Sequence, residues 1–114
     1  MKRYRRIMSG RERQAILRDE RIAPSNSSDW MPFYQPGTVV FLFDLTSADL
    51  RLVSKIPQLH YDTHGETWTL EFDSDILTES DISQGGWSGA SVFRGTILCN
   101  QISNVKWIPF SPSA

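Results

Sequence analysis

Residues 1–24 read MKRYRRIMSGRERQAILRDERIAP. A short, basic, strand-like run ends at Ser9, and a helix starts there. Ser9 and Glu12 have the Ser-x-x-Glu spacing of a capping box. In that arrangement the serine hydroxyl accepts from the Glu12 amide while the Glu12 carboxylate reaches back to the Ser9 amide. The helix is therefore expected over about Gly10 to Glu20, and the boundary between strand and helix is fixed by chemistry rather than by propensity alone.

Working outward, residues 23–37 hold APSNSSDWMPFYQPG, rich in Pro, Ser, Asn and Gly, and predict a long loop. Trp30, Phe33 and Tyr34 within it could cover the edge of a core or stack on a flat ligand. From Gly37 the run TVVFLFDL is continuously β-branched and aromatic, the pattern of a central strand buried on both faces. Thr46 or Ser47 can then cap a short helix that ends before Pro57, although the alternation of Leu50, Leu52 and Ser54 also suits a strand. ETWTLEFDSD alternates Trp68, Leu70 and Phe72 against Thr67, Thr69, Glu71 and Asp73, predicting a strand with one wet face. A polar, Gly-rich loop is expected over 74–89. The segments GASVFRGTILC, bent at Gly95, and VKWIPF close the chain. The sum is one α+β domain over residues 1–114, with about five strands in a twisted mixed or antiparallel sheet and two short helices.

A chain of 114 residues with 39% hydrophobic and 22% charged residues has apolar surface for one core and no second domain. No apolar run approaches the roughly 20 residues of a membrane helix, and the arginine-rich start lacks a signal-peptide core, so a cytoplasmic protein away from membranes is expected. The single cysteine, Cys99, has no disulfide partner in the chain and reads as an inert thiol among apolar neighbours. Charge is asymmetric. Residues 1–21 carry eight of the twelve Lys/Arg and three of the thirteen Asp/Glu, so a positive end faces a negative body although the net charge is −1. Such a dipole can orient an anionic partner. The plainer reading is a solvated helix face on which Glu12, Asp19 and Glu20 partly neutralise their neighbours.

Three stretches resemble the landmarks of compact ADP-ribosyltransferase-like proteins, which include bacterial toxins that modify DNA or proteins. RRIMSGRERQAILRDERIAP is similar to the family's opening strand, helix and exit, with Arg6 at the position that holds the nicotinamide ribose of NAD. VVFLFDLTSADLRLVSK is similar to the second landmark, with Thr46 or Ser47 as the hydroxyl that orients the first-strand residue. VFRGTILCNQISNVKWIP is similar to the closing strand pair. The resemblance implies an ADP-ribosyltransferase-like fold, NAD as cofactor, stacking of Trp30 or Tyr34 on the nicotinamide, and a nucleic acid or protein as acceptor. The family's glutamate on the penultimate strand has no counterpart in GGWSGASVFRG. Glu79 and Asp81 lie upstream and would reach the site only if their loop folds inward, which makes Glu79 the candidate for the missing carboxylate.

Other constellations compete. GGWSGAS resembles the nucleophile segment of chymotrypsin-like proteases, with Ser88 as nucleophile, but that enzyme class needs two barrels and about twice this length, so a capped glycine turn is expected instead. His60 and His64 are four residues apart and could bind zinc from one helix, yet QLHYDTHGET reads as loop or hairpin, so no metal site is assigned. Asp73, Asp75, Glu79 and Asp81 lack the spacing of a calcium loop and read as a solvated edge. The alternative to a transferase is a small adaptor or inhibitor, of the kind found in phage or toxin systems, binding nucleic acid or a protein through the basic end.

Overall fold

Alternation along the first strand sets the architecture. Successive side chains of an extended strand point to opposite faces. β1 (Lys2–Ser9) sends Tyr4, Arg6 and Met8 to a covered face, and Arg3, Arg5 and Ile7 to the other. The computed structural model describes residues 1–24, 34–81 and 90–112. Within it β1 pairs along its whole length with β4 (Thr67–Ser74), from Lys2 opposite Ser74 to Ser9 opposite Thr67. Its other edge pairs with β3 (Val39–Asp44), with Tyr4 opposite Asp44. β5 (Glu79–Ser80) and β6 (Ala90–Arg94) extend the sheet past β3, and β8 (Ile102–Pro109) extends it past β4. The order is β5-β6-β3-β1-β4-β8, and every pairing is antiparallel. β2 (Arg21–Ile22) and β7 (Ile97–Leu98) form a separate two-stranded ribbon.

The main core lies on the face of Tyr4 and Met8. It joins them to Val40 and Leu42 of β3, Leu70 and Phe72 of β4, Ile16 of the helix α1 (Gly10–Asp19), and Ile22 and Ile97 of the ribbon. Leu70, Phe72, Ile22 and Ile97 are 0% exposed. Each such side chain contributes roughly 1.5–3 kcal/mol through removal from water. The opposite face carries a smaller cluster of Tyr34, Val39 and Val92, with Phe41 against it. Beside that cluster, cross-strand ion pairs join Arg5 to Glu71 at 2.9 Å and Arg3 to Asp73 at 3.0 Å.

The α+β reading and the near-central place of TVVFLFDL agree with the structure, and the sheet is antiparallel. Several expectations need correction. β2, β5 and β7 are two-residue strands, too short to leave a pattern, so the described residues hold eight strands rather than five. Thr46 and Ser47 cap no helix. The cap is Asp49, whose side chain accepts from the Arg51 amide and opens the short α2 (Leu50–Val53).

Pro57 does not end a helix either. It lies in the first turn of α3 (Ile56–His64), where its missing N–H costs nothing. QLHYDTHGET is therefore largely helical, ending at Gly65 with φ 82°. β4 has no wet face: α3 packs against it and against β1, and arginines of β1 cover Glu71 and Asp73. Gly95, with φ 101°, turns the chain from β6 into the ribbon, and its amide donates to the Thr38 carbonyl at 2.9 Å.

Candidate functional site

Arg6 is 9% exposed. The pairing register places it between Tyr4 and Met8 and opposite Leu70, so a charged side chain sits on the apolar face of the central strand. Burial of an unpaired guanidinium would cost several kcal/mol, and here it is held on two sides. Its Nε and one Nη donate to the two Glu12 carboxylate oxygens at 2.6 and 2.8 Å, and the other Nη donates to the Phe41 carbonyl at 2.9 Å. The Ser9 hydroxyl accepts from the Glu12 amide at 3.1 Å, as the capping box requires. The Glu12 carboxylate, however, goes to Arg6 rather than back to the Ser9 amide. A helix cap has been recruited into an ion pair.

Arg6 and Glu12 line a hollow of about 220 Å³ together with Ala15, Ile16, Asp19, Arg21, Ala23 and Pro24. The two alanines leave the space, and Asp19 and Arg21 stand at the C-terminal end of α1 and just after it. Ligand pockets usually measure roughly 300–1,000 Å³. This one is smaller than that range.

The remaining candidates do not converge on it. The Thr46 hydroxyl donates to the Asp44 carboxylate at 2.6 Å, and the Ser47 amide donates to the Asp44 carbonyl. Burial pushes the Asp44 carboxyl up, but Thr46 and the Lys2 ammonium at 3.1 Å more than offset it and hold it below the ordinary value. This turn lies beyond the pairing of Tyr4 with Asp44, on the order of 10 Å along the strands from Arg6. Tyr34 lies on the opposite face of the sheet, edge-on to Phe41 at 5.4 Å, with its hydroxyl donating to Asp81 at 2.9 Å. Glu79 sits on the outermost strand and pairs with Arg94 at 3.0 Å. Three strand spacings from β1 place it on the order of 14 Å from Arg6. Trp30 and Ser88 lie outside the described residues.

One arrangement was not legible in the chain, and a second, the histidine pair, stands on a helix where the sequence predicts loop or hairpin. The guanidinium of Arg13 lies 4.0 Å from the ring centroid of Trp68 and 5.4 Å from that of Trp107. Its Nε is buried without a hydrogen-bond partner. Only the pairing of β4 with β8, which sets Leu70 opposite Trp107, brings the two indoles to one helix flank. On α3, the rings of His60 and His64 stand 4.8 Å apart, and His60 Nδ1 lies 2.6 Å from the Thr67 hydroxyl. The acids read as a possible cation edge are separately engaged: Asp73 by Arg3 and Asn104, Asp75 by the terminal ammonium, Glu79 by Arg94. Cys99 is half-buried, and burial, with Glu20 nearby, raises its thiol above the usual range.

The basic end is largely engaged in ion pairs of the fold, some of them on its surface. Lys2 pairs with Asp44, Arg3 and Arg5 with Glu71 and Asp73, Arg6 with Glu12 and Arg18 with Asp19. Among the described residues, Arg11, Arg13 and Arg21 make no ion pair. No helix there is long and apolar enough to cross a membrane. Comparison of the chain with protein-family models, with curated proteins and with solved structures finds no match.

Proposed function

We propose that the chain is a NAD-binding, ADP-ribosyltransferase-like domain whose ligand enters at the hollow beside Arg6, with the nicotinamide ribose nearest Glu12. The supporting observation is the bidentate Arg6–Glu12 pair at the wall of that hollow. A carboxylate that accepts two hydrogen bonds from a guanidinium keeps lone pairs for ribose hydroxyls. Its charge beside the sugar favours the oxocarbenium character of a breaking glycosidic bond. The carboxylate in this reading comes from α1, not from the penultimate strand and not from Glu79. Arg21, exposed at the rim, offers a cation to the pyrophosphate. NAD supplies the glycosidic bond, and the corresponding reaction is transfer of ADP-ribose to a nucleic acid or a protein.

Calorimetric titration with NAD tests the reading. Saturable binding is expected, weakened about tenfold in Arg21→Ala and abolished in Ala15→Leu, which fills the hollow, with both variants keeping the helix and strand signature in circular dichroism. Absence of heat with the unmodified protein removes the proposal.

A second reading, a non-catalytic module that binds nucleic acid, rests on a different observation: the unpaired cations of the basic end, Arg11, Arg13 and Arg21, lie on or just after α1, and Arg13 is stacked on two indoles. Bases stack on such surfaces, and phosphate contacts weaken steeply with salt. Binding to a single-stranded oligonucleotide that falls at least tenfold between 50 and about 200 mM salt supports this reading. Affinity that stays flat across that range counts against it.

A further inference from the structure

We infer that His60 and His64, one turn apart on α3, form a two-histidine site for a divalent cation of the zinc, nickel or copper class. Helical geometry is the first support. Residues i and i+4 share a face, and both histidines fall inside Ile56–His64. Ring spacing is the second. Two imidazoles that share a cation at about 2.0–2.1 Å from each ring nitrogen, near the tetrahedral angle, have centroids about 5 Å apart. His60 and His64 stand at 4.8 Å.

The third support is a proton. Thr67 Oγ1 donates its only hydrogen to the Gly65 carbonyl at 2.8 Å, so towards His60 Nδ1, at 2.6 Å, it can only accept. Nδ1 therefore carries the ring hydrogen, and Nε2 presents a lone pair. This is the outer-sphere arrangement that orients metal-binding imidazoles, in which the nitrogen away from the metal donates to a fixed acceptor. Thr67 is 1% exposed, so the acceptor is rigid. Among the described residues no third His, Cys, Asp or Glu joins the pair. The cation would keep its other positions for water or an incoming ligand.

Calorimetric titration of the whole chain with NiCl2, repeated with ZnCl2, tests the site in a non-chelating buffer near pH 7.5. One equivalent per chain is expected, with affinity at least tenfold weaker in His64→Ala, whose side chain is exposed. His60→Asn should weaken it as much, because its amide can still donate to Thr67 while Nε2 is lost. In metal-free protein, long-range nitrogen–proton NMR should show the His60 hydrogen on Nδ1. No uptake of either metal at millimolar concentration, uptake unchanged in His64→Ala, or a hydrogen on His60 Nε2 overturns the inference.

Discussion

The Arg6–Glu12 pair is asymmetric in its exposure, and its two halves should behave differently when removed. The Arg6 side chain is 10% exposed and that of Glu12 33%. Glu12→Ala leaves a buried guanidinium with only the Phe41 carbonyl, at a cost of about 3–5 kcal/mol. Arg6→Met replaces the charge with an apolar chain of similar reach, and the freed carboxylate can turn to water, so the loss should be under about 2 kcal/mol. Urea denaturation of the two variants checks the order, and an equal loss would refute this account of the pair. Nothing in the run YRRIMS marks Arg6 apart from Arg5, because strand alternation alone puts one arginine on the apolar face and the next on the ion-paired face. The resemblance singled out Arg6. Its partner was hidden, since Glu12 was already accounted for as half of a capping box.

At the level of the elements, α1 ends on Glu20 with φ 55°, a left-handed conformation that an L side chain tolerates poorly. The Glu20 amide still closes the helix by donating to the Ile16 carbonyl at 2.8 Å. Glu20→Gly relieves the strain and should raise stability by about 0.5–1 kcal/mol in thermal or urea unfolding, with no change in secondary structure. Elements with strong local signals were legible: the Ser9 start of α1, the apolar run of β3, the alternation of β4. α3 was not. It buries no residue fully, so it has no apolar stripe to read, and it is held by contacts to β4 and β1 and by Tyr61 against Phe110 at 5.4 Å. With Gly65 and Thr63 as poor helix formers, QLHYDTHGET reads as loop or hairpin, and a shared helical face for the two histidines does not follow from it. The hollow was equally out of reach, because its walls come from β1, α1 and the segment after it, and only tertiary packing assembles them.

In the molecule as a whole, one proton equilibrium should appear in global stability. Burial and His64 lower the His60 pKa from its ordinary 6.5 in the folded state. Above that value both folded and unfolded chains carry a neutral ring, and the full stability is present. As pH falls through 6.5 the unfolded chain takes up the proton first, so stability declines until the folded ring also protonates. The urea midpoint should therefore drop as pH falls from 8 through 6.5, and His60→Asn should flatten that part of the profile. The sheet order has a temporal meaning too. β1 is first in the chain yet sits between β3 and β4. During synthesis at about 5–20 residues per second, its backbone donors and acceptors wait several seconds for β4 to emerge. Over that interval α1 can already be wound and Arg6 already neutralised by Glu12, six residues away. That local clasp can neutralise the one guanidinium bound for the interior before its sheet partners leave the ribosome, while the strand's backbone groups stay open until β3 and β4 arrive.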